Sequence, residues 1–189
     1  GHVHLVASDR TDAVVDVRPT NAAVAADVDA ADRSTVDFVN GQLTVTVPNK
    51  KTLRTLFGKP GQVDVTIEVP TGSRVDADVA AAIRGEGTLG ESTIATAIGA
   101  VRLERTGRLK LRTAAGDVSV GGVAGAAELH TASGKIRVGD VSGPVVAKTS
   151  NGDVTLGAFG SRGRAAVCGA AAERSAAALD GAVGVASTE

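Results

Sequence analysis

The sequence is poor in aromatic residues. It contains three Phe, no Trp and no Tyr, so aromatic side chains make up 2% of its 189 residues. Proteins that bind single-stranded nucleic acids stack the bases on aromatic side chains, and ligand clefts such as those for sugars are lined by aromatic faces as well. The composition therefore argues against a nucleic-acid-binding platform and against a sugar-binding cleft.

Excess charge and cysteine pairs are also missing. A net charge of −1 argues against a general polyanion-binding protein. The single cysteine, Cys168, excludes an internal disulfide and a metal site built from several cysteines. No apolar run approaches the roughly 20 residues that a membrane-spanning helix needs. We therefore predict one domain, or one domain and a tail, without a membrane span.

The chain contains no methionine, so Gly1 is not an initiator residue. We interpret the sequence as a fragment or a processed chain. No signal-peptide pattern opens it, which favours the cytoplasm as its location and leaves the cell surface as the alternative.

Glycine is abundant, and it follows a repeat. One short motif occurs three times, as LKLRTAAGDVSVGGVAGA, AELHTASGKIRVGDVSGP and VVAKTSNGDVTLGAFG. Three sets of glycines recur at 18-residue intervals: Gly107, Gly125 and Gly143; Gly116, Gly134 and Gly152; Gly121, Gly139 and Gly157. A fixed period of this length indicates stacked units that bury their apolar faces only against one another.

Each copy of the motif alternates between apolar and polar residues, which predicts two strands per copy. The alternation predicts three inward columns: Leu111, Leu129 and Ala147; Val120, Val138 and Leu156; Val123, Val141 and Phe159. Ala-Gly, Ser-Gly and Asn-Gly pairs between the strands supply residues that tolerate a positive φ.

The turn charges indicate which kind of coil the copies form. A triangular coil of three hexapeptides would place Asp117, Lys135 and Asp153 in the core, which a thin aliphatic interior does not accept. We therefore predict an all-β fold, a flattened parallel β-solenoid with 18-residue turns (rungs) about 4.8 Å apart. An N-terminal antiparallel β region precedes it.

Stacking of the copies also predicts which surface side chains are neighbours. Asp117, Lys135 and Asp153 should form a ladder of alternating charge. Arg112, His130 and Lys148 should form a basic column (the basic column below). This column either keeps the surface soluble and protects the sheet edge or serves as a strip that binds anions.

We divide the chain into an N-terminal β region (1–70), the repeats (71–160) and an Ala/Gly-rich tail (161–189). The N-terminal region is predicted to contain strands at 1–7, 13–18 and 63–69, a short helix or loop at 22–31, and a hairpin of 36–39 with 43–47. Alignment of Gly160 with Gly143 would turn Arg162 and Arg164 inward. We therefore predict that the solenoid ends at 157–160. The tail is then a helical cap over 165–179, a disordered segment or the product of an altered reading frame.

Candidate chemistry is sparse. The segment 85–90 matches G-x-G-x-x-G, and Glu104 follows at about the sequence spacing where a dinucleotide site has its acidic residue. A dinucleotide site also needs a helix after the glycines, however, and the sequence that follows is typical of a strand. His2 and His4 share a strand face without a carboxylate beside them in sequence. Asp117 and Asp153 would lie two rungs apart with Lys135 between them. We therefore expect no catalytic residue, no cofactor and no metal.

Three blocks resemble a known family. They are VASDRTDAVVDVRP (6–19), VDVTIEVPTGS (63–73) and the Gly-Asp-Val type rungs. Together they resemble the bacterial β-strand-repeat family DUF4097, which is common in actinobacteria and often carries an adhesin label. The resemblance implies a β-solenoid without established catalytic residues.

We accordingly predict a non-catalytic binding or scaffold protein, adhesin-like, whose partner is a protein or a surface glycan and not a nucleic acid. One alternative is a carbohydrate-active enzyme on a β-helix. Another is an envelope-associated sensor or structural protein that associates with itself through its open edges.

Overall fold

The computed structural model describes residues 1–32, 35–39, 42–46, 62–158, 164–168, 171–174 and 184–185. In this part of the chain the strands form two sheets of nine strands each, and the one helix is short. The prediction of an all-β fold built on a parallel β-solenoid is confirmed. Segment 22–31, predicted as a short helix or loop, contains the helix α1 (Ala25–Asp32).

The strands have the following bounds in chain order: β1 His2–Ser8, β2 Val14–Pro19, β3 Thr35–Val39, β4 Gln42–Thr46, β5 Val63–Pro70, β6 Arg74–Val79, β7 Ala82–Leu89, β8 Ser92–Ile98, β9 Val101–Thr106, β10 Leu109–Ala115, β11 Val118–Val123, β12 Ala127–Ser133, β13 Ile136–Val141, β14 Pro144–Asn151, β15 Asp153–Leu156, β16 Arg164–Cys168, β17 Ala171–Arg174 and β18 Gly184–Val185.

From β6 onward, successive strands alternate between the two sheets. Sheet A has the order β17-β15-β13-β11-β9-β7-β1-β5-β2, and sheet B has the order β18-β16-β14-β12-β10-β8-β6-β4-β3. Each rung therefore adds one parallel strand to each sheet. This is the two-sided coil that the charges at 117, 135 and 153 favoured over a triangular one.

The register agrees with the predicted columns. In sheet B, Leu111 lies opposite Leu129, which lies opposite Ala147. In sheet A the corresponding column is Val120, Val138 and Leu156. All six side chains are buried between the sheets, because alternate residues of a strand point to the same face. Val123 and Val141 are also paired and buried, whereas Phe159 lies outside the described residues.

The corner between the two strands of a rung depends on glycine. Gly116, Gly134 and Gly152 have φ values of 145°, 140° and 143°, a region that residues with a Cβ rarely occupy. A Cβ at any of the three would also overlap the carbonyl oxygen of the glycine one rung earlier. Glycine therefore permits both the turn and the close approach of successive rungs.

The N-terminal region is joined to the solenoid in an unexpected way. β1 lies between β5 and β7 in sheet A and is parallel to both. β2 pairs antiparallel with the other edge of β5, so β5 separates the two arms of the N-terminal β1–β2 unit. The predicted antiparallel region is thus present in β2 with β5 and in β3 with β4, but β1 is a strand of the parallel sheet. Residues 40–41, which would form the turn of the predicted hairpin, lie outside the described residues.

Helix α1 is anchored by a carboxylate. Asp27 is 7% exposed and accepts hydrogen bonds from the backbone N–H groups of Asn21 (3.1 Å) and Gln62 (2.8 Å). These bonds tie the helix to the residue that precedes β5. Ala31 of the same helix packs against the core.

The prediction that the solenoid ends at 157–160 is wrong. β16 pairs with β14, β17 with β15 and β18 with β16, all in parallel. The register pairs Arg164 with Pro144 and Ala165 with Val145, so this rung is two residues longer than 18. Arg164 therefore pairs with an exposed residue of β14, and Ala165 and Val167 pair with Val145 and Ala147, which are buried. Strands at 164–168 and 171–174 also contradict a continuous helix over 165–179, one of the alternatives for the tail. Apart from β18, the remaining residues of the tail lie outside the described part of the chain.

Candidate functional site

The predicted basic column lies on the outer face of sheet B. Arg112 of β10 is opposite His130 of β12, which is opposite Lys148 of β14. The residues that flank them along each strand point into the core, so these three side chains point outward. The register also extends the column toward β6 through Ala95 to Asp78.

One carboxylate lies inside this basic surface. Glu128 Oε1 is 3.2 Å from His130 Nε2 and 3.9 Å from an Arg112 guanidinium nitrogen, and Glu128 Oε2 is 3.9 Å from Lys110 Nζ. Side chains this exposed contribute about 0–1 kcal/mol per pair. Lys148 has no carboxylate within 4.0 Å among the described residues. Lys110, Arg112 and His130 therefore share the Glu128 carboxylate.

The same face is acidic at β6, two strands from β10 in sheet B. Asp76 and Asp78 project from β6, and within the described chain neither has a cation within 4.0 Å. Between these acidic and basic parts, Glu91 Oε2 lies 2.9 Å from an Arg74 guanidinium nitrogen, and Glu91 Oε1 lies 3.8 Å from one of Arg108. The outer face of sheet B thus changes from acidic at β6 to basic at β10–β14.

The predicted charge ladder at the rung corners is present. The backbone N–H of Lys135 donates to Asp117 Oδ1 (2.9 Å), and Lys135 Nζ lies 3.4 Å from Asp153 Oδ2. Lys135 therefore contacts both carboxylates, one through its backbone and one through its side chain. Asp117 and Asp153 are ladder members held by a lysine and do not form a carboxylate pair.

Sequence reasoning missed a second row of cations, on sheet A. Arg84, Arg102, Ser119 and Arg137 are successive neighbours across β7, β9, β11 and β13. Arg102 and Arg137 are exposed and have no carboxylate within 4.0 Å in the described ranges. Stepping by 18, 17 and 18 residues through the sequence would have found this row, but the period is regular only after residue 107.

His4 of β1 lies next to this row of cations. Glu86 Oε1 lies 2.9 Å from Arg84 Nε and 3.2 Å from His4 Nε2. His4 and, to a smaller extent, Arg84 hold the pKa of the Glu86 carboxyl below its ordinary value, and partial burial opposes them. Glu86 is therefore an ionised partner in a surface cluster and is poorly suited to donate a proton at neutral pH.

The G-x-G-x-x-G segment is part of a strand. It lies on β7 and runs into the corner at Gly90, and the pairing with β9 shifts register between Gly85 and Thr88. The N–H of Gly87 donates to Glu104 Oε2 (2.8 Å). The next element is strand β8, so this segment lacks the helix N-terminus on which a dinucleotide site depends.

His2 and His4 share the outer face of β1, as expected. The backbone N–H of His2 donates to Asp64 Oδ1 (2.9 Å). Among the residues that the structure describes, no three His, Cys, Asp or Glu side chains are grouped closely enough to hold a metal ion. The helix in this part of the chain is too short and too polar to cross a membrane.

These features define a class: a two-sheet parallel β-solenoid with an aliphatic interior and flat, charged outer faces. The chain belongs to the Toastrack family DUF4097, whose model matches residues 6–163. No curated protein and no solved structure matches the chain significantly. The match supports the family that blocks 6–19 and 63–73 indicated.

Proposed function

We propose that this chain is a non-catalytic scaffold that binds an acidic polypeptide segment through the outer face of sheet B. The observation that supports the proposal is the alignment of Arg112, His130 and Lys148 on three adjacent parallel strands, with Lys110 beside them. Adjacent strands are about 4.8 Å apart. The column therefore places two permanently charged side chains, Arg112 and Lys148, two strand spacings apart with the His130 imidazole between them.

The arrangement of carboxylates favours binding over catalysis. Enzymes that cleave glycosidic bonds use two carboxyl groups roughly 5–9.5 Å apart that act on one bond. Here Asp117 and Asp153 are separated by Lys135, and Glu86 and Glu128 each contact cations. Each of these carboxylates is thus engaged in a charge network, and none faces a second carboxylate across a cleft.

Binding at such a flat face depends on charge and shape. The side chains are exposed, so each contact is screened by salt, and specificity comes from the spacing of the charges. An extended acidic segment lying across the rungs would meet the column with its own regular side-chain spacing. A more specific version of this proposal is an adhesin-like role, in which the acidic segment is displayed on another surface.

The experiment compares two double variants of the full chain with poly-L-glutamate as the probe. Arg112→Ser with Lys148→Ser removes the two permanently charged members of the basic column on sheet B, and Arg102→Ser with Arg137→Ser removes two cations from sheet A. We expect the sheet B variant to bind about tenfold more weakly, roughly 1.4 kcal/mol, and the sheet A variant to change little. Affinity is measured by titration calorimetry at two salt concentrations.

Equal loss in both variants would show that the polymer responds only to net charge and would contradict the proposal. So would a native chain that does not bind poly-L-glutamate at low salt. Binding of hyaluronate with the same dependence on Arg112 and Lys148, but without binding of poly-L-glutamate, would assign the face to an anionic glycan instead.

A further inference from the structure

The position of β1 in sheet A is unusual among the described strands. Its two neighbours, β5 and β7, both lie far along the chain, and β1 is bonded to one on each edge. Val3 and Leu5 of β1 are 3% and 1% exposed and complete the core at this level. Without β1, the facing edges of β5 and β7 would be separated by an empty strand position.

The covalent link from β1 to the rest of the fold is a polar turn. Residues 9–13 join β1 to β2, and Asp9, Thr11 and Asp12 are exposed. Since β5 lies between the two strands, the turn crosses two strand spacings, about 9.6 Å. Five extended residues can reach about 17 Å. The turn is therefore slack in the closed form and long enough to straighten.

One side chain holds this turn closed. The Arg10 guanidinium pairs with Glu68 of β5 and lies 3.2 Å from Asp12 Oδ1, and the Thr71 N–H donates to the Ser8 carbonyl (3.0 Å). These are surface contacts. The buried contacts of β1 are made by the strand itself, and they do not depend on which chain supplies it.

We propose that β1 is an exchangeable strand and that the position between β5 and β7 accepts β1 of a second copy of this chain. The exchanged dimer makes every contact of β1 again, so its stability relative to the monomer depends on the turn and on chain concentration. The exchanged β1 can pair in only one register, because a slip by one residue would turn His2 and His4 inward in place of Val3 and Leu5. This proposal is independent of the basic column on sheet B.

The test uses the full chain with Cys168→Ser and two further single variants, His2→Cys and Ala82→Cys. His2 and Ala82 are register neighbours on the outer face. A strand spacing of about 4.8 Å lies within the range for a disulfide, roughly 4.4–6.8 Å between Cα atoms. The two variants are mixed in denaturant, refolded together at increasing chain concentration and oxidised. We expect a cross-linked heterodimer whose yield rises with concentration.

Two controls decide the result. Thr93→Cys lies on the other sheet and should not cross-link to the His2→Cys chain. Arg10→Ser should raise the dimer fraction several-fold by loosening the turn, whereas Arg18→Ser, which removes an ion pair within β2, should not. Dimer fractions are measured by sedimentation velocity. A chain that stays monomeric at every refolding concentration overturns the proposal. So does a heterodimer yield no higher than that of the Thr93→Cys control.

Discussion

At the level of single residues, glycines set the distance between rungs. The N–H of Gly125 donates to the carbonyl of Gly107 (2.8 Å), and the N–H of Gly107 donates to that of Gly90 (3.0 Å). A Cβ at Gly125 or Gly107 would lie 3.1 or 3.2 Å from the same carbonyl oxygens. A side chain at either position would therefore press on the backbone of the neighbouring rung, even though the φ values of these glycines are not positive.

Gly121 and Gly122 offer a matched test of this requirement. A Cβ at Gly121 would lie 2.6 Å from the Glu104 carbonyl oxygen, whereas at Gly122 the nearest atom would be 3.7 Å away. We expect Gly121→Ala to reduce the free energy of unfolding by about 1–3 kcal/mol and Gly122→Ala to change it by less than about 1 kcal/mol. Chemical denaturation measures both. Equal effects would show that backbone proximity is not the cause.

A second residue-scale feature is a buried column of threonines. Thr96, Thr113, Thr131 and Thr149 are register neighbours in sheet B and all are buried. The Thr131 hydroxyl donates to the Ser133 carbonyl (3.2 Å). The hydroxyls of Thr113 and Thr149 are buried without a hydrogen-bond partner. The methyl groups pack in the core, while only some of the hydroxyls are satisfied.

This difference predicts opposite outcomes for the same substitution. Thr131→Val should cost about 1 kcal/mol, because it removes a hydrogen bond. Thr113→Val should leave stability unchanged or increase it, because it removes an unpaired buried hydroxyl. Thermal unfolding followed by circular dichroism compares the two. A larger loss for Thr113→Val than for Thr131→Val would contradict the assignment.

At the level of elements, strands β1 and β7 are linked by the Glu86 cluster, which makes stability depend on pH. The pKa of Glu86 is lowered from its ordinary 4.5 in the folded state. Its contribution is therefore present above pH 4.5 and is lost as the pH falls through the lower folded value. We expect Glu86→Gln to be less stable than the native chain near neutral pH and to approach it in acid, as measured by urea unfolding. Asp140→Asn, whose carboxylate has no cation within 4.0 Å in the described chain, is the control and should show no such convergence.

The buried face of β12 gives a second prediction at this scale. Leu129 is fully buried between two strands, so Leu129→Asp places an unpaired carboxylate in the core and should unfold the repeats. Ala132→Asp adds the same group on the exposed face of the same strand and should change the melting temperature little. The melting is followed by the β-sheet signal in circular dichroism. A native-like melting curve for Leu129→Asp would contradict the register.

For the whole molecule, the stack of strands continues beyond the three regular repeats. β16 and β17 cover the edges of β14 and β15, where unpaired N–H and C=O groups would otherwise be open to another chain. In the described part of the chain the stack ends on β17, with four residues, and β18, with two. Because a short edge strand offers little backbone for pairing, these strands limit edge-to-edge association.

Deletion of residues 161–189 tests this protection. The truncated chain would expose the edge beside the buried Val154 and Leu156. We expect it to form oligomers whose size increases with concentration in light scattering. A second truncation, after Arg174, retains β16 and β17 and should associate less. A soluble monomer at all concentrations after deletion of 161–189 would show that the tail does not act as a cap.

The sequence by itself determined the repeat and its faces. An 18-residue period combined with strict alternation assigns Leu111, Leu129 and Ala147 to one inward column without reference to distant segments. The same period aligns Arg112, His130 and Lys148. Both predictions succeed because each rung packs on the next one in sequence, so the local pattern is also the tertiary pattern.

Only the tertiary structure decided where irregular segments join the stack. Nothing near His2–Ser8 in the sequence shows that this strand lies between β5 and β7, because its partners are distant and its alternation fits either a hairpin or a parallel sheet. The two extra residues before Ala165 likewise shift Arg164 to a position beside an exposed neighbour. A repeat period predicts the register only where successive rungs have the same length. Where the lengths differ, the register is the one that keeps the apolar face buried.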